Sequence, residues 1–249
     1  MLRLSTALAI AALTLASRWT TESVVAAEPA AGQQVERSFT ASDGAVVPYL
    51  CYLPKGFDTA QQRVPLMLFL HGRGESDGPL STVAKWGPPL MAANGEPLPF
   101  VLISPQCPRE DSWSSPTQQM RLGELLNSVV EKFRANEDRL YLSGLSMGGS
   151  GSWRMAADHP NRFAAVVPIC GGGKVEDAAK LKELPIWVFV GDQDRVFASN
   201  VAMVEAVREA GSQHVRLTTL ENIGHNSWSA AFASPDLYTW LSQQVRNKK

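Results

Sequence analysis

Residues 138–149, Asp-Arg-Leu-Tyr-Leu-Ser-Gly-Leu-Ser-Met-Gly-Gly, constrain the fold more than any other stretch of the chain. A short apolar strand runs directly into Gly144-x-Ser146-x-Gly148 and then into a segment able to start a helix. A chain that bends so sharply at one serine holds that side chain out of the sheet, and side chains at Gly144 and Gly148 would collide across the turn. The triplet alone arises by chance, because glycine and serine are common. The strand before it and the helix after it give it meaning. A hydroxyl presented this way becomes a nucleophile when a base stands beside it and backbone N–H groups face the oxygen of the attacked carbonyl.

The partners such a serine needs follow in the chain order nucleophile, acid, histidine. After the apolar run Pro185–Val190 comes Gly191-Asp192-Gln193-Asp194, and after Val215–Leu220 comes Gly224-His225-Asn226. Both loops leave the carboxyl ends of expected parallel strands, where ligands and chemistry collect in an open α/β sheet. Ser146, an aspartate and His225 can therefore meet. Asp194 is favoured over Asp192 as the acid, since Asp192 directly follows its strand and is better placed to tie down the turn through its backbone. In that arrangement His225 takes the Ser146 proton and returns it to the leaving group, while the carboxylate fixes the imidazole tautomer. Two backbone donors for an oxyanion are expected from Met147, at the start of the next helix, and from Arg73, in the loop His71-Gly72-Arg73-Gly74 after the strand Pro65–Leu70. His71 itself reads as a residue that orients this loop.

Together these segments resemble the α/β-hydrolase superfamily, and within it small secreted bacterial carboxylesterases similar to the phospholipase/carboxylesterase, dienelactone-hydrolase-like and "predicted peptidase" groups. The resemblance rests on His71-Gly72-x-Gly74-Glu75, Leu98–Pro108 with Trp113, Gly144–Gly149 with Trp153, and Asp158–Phe163. It covers nearly all of the chain beyond its first segment. It implies a mostly parallel eight-stranded sheet with helices on both faces and no large lid, since Gly171–Leu184 is too short to hold one. It also implies a serine esterase acting without a cofactor. Arg73 departs from the smaller residue usual at that place.

The first residues carry Arg3 followed by an apolar run to about Ala16, too short to span a bilayer and typical of an export signal. Val25-Ala26-Ala27 offers a cleavage site, so the chain is expected to divide into a signal peptide, 1–27, and one catalytic domain, 28–249. Export to the periplasm or the medium follows, with no membrane partner once the signal is removed. A formal net charge of −1, from 23 basic and 24 acidic residues, gives no electrostatic case for nucleic acid. The three cysteines are expected to remain thiols, because the strand order sets them beyond disulfide reach.

Apolar runs predict strands at 35–40, 46–53, 66–70, 101–104, 140–143, 163–169, 186–190 and 215–220. Helical spacing predicts helices at 117–133 and 199–210, with one more around 81–92. Trp113 and Trp228 are candidates to wall an open cleft for an aromatic or sugar group, with Glu75 beside them. Tryptophan is also often half-buried without any ligand. No metal site is expected, because the histidines at 71, 159, 214 and 225 lack ligand spacing, and no phosphate loop, because Gly148–Gly151 lacks its lysine. The expected partner is a small-molecule or polymer-linked ester. A peptidase using the same residues and a binding module on the same fold are the alternatives.

Overall fold

A computed structural model describes residues 29–57 and 63–246, so the expected leader at 1–27 lies outside the described residues. Eight strands form one sheet: β1 Gln34–Thr40, β2 Val46–Tyr52, β3 Leu66–Leu70, β4 Val101–Pro105, β5 Leu140–Leu145, β6 Ala165–Ile169, β7 Ile186–Gly191 and β8 Val215–Leu220. Their order across the sheet is β1-β2-β4-β3-β5-β6-β7-β8. The pairs β1–β2 and β2–β4 are antiparallel and all others parallel. Every residue of β3 to β7 is buried, which is why these runs read as continuous apolar stretches in the sequence. Edge strand β8 instead mixes buried, half-buried and exposed positions.

Alternation along each strand divides the interior into two cores. On β3, Leu66, Leu68 and Leu70 face a layer containing Leu122, Leu125, Leu126 and Val129 of helix α2 (Pro116–Lys132), Trp153 of α3 (Met147–Asp158) and Met203 of α4 (Phe197–Glu209). Met67 and Phe69 face the other layer, with Ala92 of α1 (Gly87–Ala93), Phe232 of α5 (Trp228–Ala233) and Leu237 of α6 (Pro235–Gln243). Ser115 caps α2 by accepting the N–H of Gln118 through its side chain, and Pro116 occupies the first turn, where it costs no hydrogen bond.

Two regions differ from expectation. The single helix around 81–92 is two pieces, a 3-10 segment Leu80–Lys85 and then α1, separated by extended backbone at Trp86 (φ −142°, ψ 156°). Pro88 disfavours helical backbone at Gly87, which takes φ +65°. A Cβ there would stand 2.9 Å from the Phe232 ring. Helices α5 and α6 were not anticipated at all. The sixth strand also begins at Ala165 rather than Phe163. All three cysteines are buried and none is in a disulfide; Cys51 stands opposite Ile103 in the sheet, four residues short of Cys107, and two strands separate β4 from β6.

Candidate active site

Ser146 stands between β5 and α3 with φ 54° and ψ −113°, a left-handed conformation rare for a residue with a side chain. Such backbone costs on the order of 1–3 kcal/mol and persists only where its surroundings impose it. Here they do. A Cβ at Gly144 would lie 2.4 Å from the Gly148 carbonyl oxygen, one at Gly148 only 1.9 Å from that of Leu70, and one at Gly149 2.5 Å from that of Ile169. The backbone of the bend thus packs directly on its neighbours, and Ser146 N–H donates to the Ile169 carbonyl at 2.9 Å.

His225 lies in the loop between β8 and α5. Its Nε2 is 2.8 Å from Ser146 Oγ, and its Nδ1 is 2.7 Å from Asp194 Oδ2. Asp194 is buried in the turn after β7, and its other oxygen, Oδ1, accepts the Val196 N–H at 3.1 Å. With Nδ1–H given to the carboxylate, Nε2 is left to accept the serine proton. The two loops are interlocked: Ser227 Oγ accepts the Gly191 N–H at 2.8 Å, and a Cβ on Gly191 would stand 2.0 Å from the Ile223 carbonyl oxygen. Asp192 is exposed and stays outside the group. Its N–H donates to the Leu220 carbonyl.

Met147 opens α3, and Arg73 opens a 3-10 turn, Arg73–Glu75. A Cβ on Gly72 would sit 2.7 Å from Leu145 Cδ1 and 3.6 Å from Ser146 Cβ, so the backbone leading into Arg73 passes against the serine. The Arg73 guanidinium turns elsewhere, donating to the carbonyls of Arg109 (2.8 Å) and Asp111. His71 fixes the same loop from beneath. Its Nε2 accepts the Cys107 N–H at 3.0 Å, so the ring is neutral and Nδ1–H donates to the Gly72 carbonyl at 2.6 Å. Burial lowers the His71 pKa to about 4.

The expected cleft residues divide. Trp113 is a correction: it is fully buried, its indole N–H donates to the His71 carbonyl at 3.0 Å, and its ring packs edge-on against His71. It has no surface to offer a substrate. Glu75, expected beside the tryptophans of the cleft, is likewise buried. A Cβ on Gly72 would be 3.2 Å from its Oε2. Burial pushes the Glu75 pKa up, and hydrogen bonds from the Gly72 N–H and the Trp86 indole work in the opposite direction. Glu75 therefore serves its own loop and Trp86. Trp228 is half-buried with its ring edge-on to His225, centroids 5.6 Å apart. Trp86 lies 5.9 Å beyond it. Sequence reasoning missed Trp86; an aromatic residue directly before Gly-Pro-Pro, where a helix must restart, was the available signal.

Among the described residues, Cys170, Asp194 and His225 are the group of potential ligands close enough to share an ion, their atoms lying within 4.8 Å of one another. Asp194 and His225 are already bonded to each other. Burial pushes the Cys170 thiol up to about 12, so it holds its proton.

The family model described as "Putative esterase" matches residues 95–240. The chain belongs to that family. Ser146, Met147, Asp194, His225 and Trp228 fall inside the matched stretch, whereas Arg73 and Glu75 precede it. Among curated proteins, the chain is 24% identical over 188 residues to the bifunctional acetylxylan esterase/xylanase XynS20E of Neocallimastix patriciarum, covering 71% of this chain and 26% of that protein. It is also 24% identical over 177 residues to an endo-1,4-beta-xylanase/feruloyl esterase of Xylanibacter ruminicola, covering 64% and 24%. The chain thus spans about a quarter of the length of the curated relatives it matches. Among solved structures, a thermostable esterase superposes with a TM-score of 0.75 at 28% identity, over 86% of this chain and 64% of that one. The fluorophosphonate-binding serine hydrolase FphF of Staphylococcus aureus gives a TM-score of 0.70 at 15% identity, over 86% and 100%, a likeness of fold. The architecture is that of the α/β-hydrolases.

Proposed function

We propose that this chain is an exported serine hydrolase that cleaves carboxylic esters through an acyl-enzyme. One observation carries the reading: the unbroken line from Ser146 Oγ through His225 to Asp194, with a 2.8 Å and a 2.7 Å contact, on a strained elbow that opens a helix. Ser146 Oγ attacks the ester carbonyl carbon as His225 Nε2 takes its proton. The carbonyl oxygen becomes an oxyanion facing the N–H groups of Met147 and Arg73. Collapse expels the alcohol, which receives the proton from His225, and leaves the acyl group on Ser146. Water then repeats the sequence, its proton passing to His225 and back to Ser146 as the acid departs. Asp194 keeps its negative charge throughout and stabilises the imidazolium.

The acetylxylan and feruloyl esterase activities in the relatives' names favour esters on a carbohydrate polymer as the substrate class. Export through a signal peptide at 1–27, followed by one catalytic domain, would bring the enzyme to such a polymer. No helix among the described residues is long and apolar enough to cross a membrane. The test is turnover by the purified protein on matched ester and amide panels, including acetylated sugars, feruloyl esters and short peptides, with Ser146→Ala as control. Ester turnover lost in Ser146→Ala supports the reading. Amide-only turnover would establish a peptidase instead, and N-terminal sequencing of the exported protein should begin at Glu28.

A further inference from the structure

We propose that Glu75, which the mechanism above does not use, is a positioning residue whose buried carboxyl holds the Arg73 N–H on the oxyanion. This rests on the reading of Arg73 as the second backbone donor. The need for such a residue begins at Gly72. A Cβ there would stand 2.7 Å from Leu145 Cδ1 and 3.6 Å from Ser146 Cβ, so glycine is what lets the loop pass this close to the nucleophile. Glycine is also the most pliable joint a backbone has. Its angles here, φ −81° and ψ 177°, lie in extended space open to any residue, so sterics alone do not pin them. The proposed donor is the very next N–H, and such a donor works only if it is fixed in place before the charge develops.

Glu75 supplies the stiffness that glycine lacks. A trans peptide is planar, its N–H antiparallel to its C=O, so whatever fixes the Gly72 carbonyl also fixes the direction of the Arg73 N–H. That carbonyl accepts the Glu75 N–H at 3.3 Å and the His71 Nδ1–H at 2.6 Å. On the other side of the joint, the Gly72 N–H donates to the Glu75 carboxyl, whose Oε2 lies 3.2 Å from the place of a Gly72 Cβ. One residue thus grips both peptide groups of Gly72. It is itself anchored: Glu75 is 4% exposed, its carbonyl accepts from Gln106 Nε2 at 3.0 Å in the loop after β4, and the Trp86 indole N–H donates to its carboxyl. Both of these partners of the carboxyl are donors, a pattern that a carboxylate satisfies and a hydrocarbon cannot. Burying a carboxyl group is costly. Space-filling alone would be better served by an apolar side chain.

The experiment is a double-mutant cycle on the full protein, read by steady-state kinetics on p-nitrophenyl acetate. Glu75→Gln keeps the size and one acceptor oxygen; Glu75→Met keeps the size alone and leaves the Gly72 N–H unpaired. The expected result is a kcat lowered about 10-fold in Glu75→Gln and up to about 10²-fold in Glu75→Met, with KM within about twofold, because a misaimed donor is felt in the transition state. Arg73→Pro has no N–H left to aim. Adding Glu75→Met to it should therefore cost no more than about another twofold, whereas a general structural role would lower kcat equally in both backgrounds. A wild-type kcat in Glu75→Met, or losses that multiply across the two sites, overturns the assignment while leaving the hydrolase intact. A wild-type kcat in Arg73→Pro would instead remove the donor on which the assignment rests, and the proposal with it. Should the Glu75 variants not fold, the wild type decides by hydrogen exchange. Its Gly72 amide should exchange at least ~10²-fold more slowly than a free loop amide, and exchange at the free rate would show that the carboxyl does not hold it.

Discussion

Two loops at the same edge of the sheet each carry a histidine, and the structure treats them in opposite ways. In the loop after β3, His71 is 1% exposed and both its nitrogens bond to backbone, one accepting from Cys107 and one donating to Gly72. In the loop after β8, the His225 side chain is 39% exposed and bonds to a carboxylate on one side and a hydroxyl on the other. Position at the catalytic edge therefore does not make a base. A ring held between two backbone groups has one tautomer and no charge to exchange, whereas a carboxylate at Nδ1 favours the imidazolium when a proton arrives at Nε2. In the proposed mechanism the first loop supplies rigidity and N–H donors, and the second supplies proton transfer.

The sharpest way to break that contrast is to take away the carboxylate. Asp194→Asn should lower kcat by about 10⁴-fold, because the amide no longer holds the His225 tautomer or its positive charge. Asp192→Asn should change it no more than about twofold, since that side chain is exposed and outside the group. Steady-state kinetics on one ester decides between them, and a reversed ranking would move the role to Asp192. Next is the contact where the first loop rests on the elbow. Gly148→Ala would press a methyl group to within 1.9 Å of the Leu70 carbonyl oxygen and 2.8 Å of that of His71, both backbone atoms with little room to yield. A stability loss of about 3 kcal/mol or more, the upper end for overpacking, is expected in urea unfolding. Wild-type stability would show that β3 can move away from α3.

A third test separates the donor in the first loop from the side chain that carries it. Arg73 begins its 3-10 turn after an extended Gly72 (φ −81°, ψ 177°), a place where proline fits without rearrangement. Arg73→Pro removes the N–H and should cost about 10²–10³-fold in kcat, as losing one oxyanion donor does elsewhere. Arg73→Ala keeps the N–H and loses only the guanidinium's hold on the carbonyls of Arg109 and Asp111, so its effect should be much smaller. Equal losses in the two variants would assign the role to the side chain instead.

What the sequence could show about these loops follows from what packs there. The elbow and the order of Ser146, Asp194 and His225 were legible because backbone meets backbone at Gly144, Gly148 and Gly191, and only glycine permits that approach. The central strands were legible because both their faces are covered, which leaves unbroken apolar runs. The cleft wall was not. Trp113 and Trp86 are both tryptophans close to the catalytic edge, yet one ring goes beneath His71 and the other reaches Trp228. Which way a loop side chain turns depends on partners distant in sequence. Here those are His71 for Trp113 and Trp228 for Trp86, and no local periodicity records them. Helices α5 and α6 were missed for a related reason, being 6 and 9 residues long and divided by Ser234 at the start of a proline-led turn. Runs that short carry little periodic signal.

The smallest expected effect bears on the first loop's histidine alone and is read in stability. The folded pKa of His71 is about 4, below the ordinary value of 6.5, because burial penalises the charged ring. A histidine depressed in this way contributes stability that is fully present above the unfolded pKa and is lost as pH falls toward the folded one. Between pH 7 and pH 5 the loss is about 2 kcal/mol, and it approaches about 3 kcal/mol near pH 4. Glu75 acts in the opposite sense, since its raised pKa favours the folded state as it takes up a proton, so the two together flatten the acid limb. His71→Gln offers a neutral amide that can still donate to Gly72 but cannot charge. Urea midpoints measured from pH 7 to pH 4.5 should therefore fall less steeply in His71→Gln than in the wild type. Parallel slopes would mean that His71 can accept a proton where it stands, and the contrast between the two histidines would then rest on the Asp194 carboxylate alone.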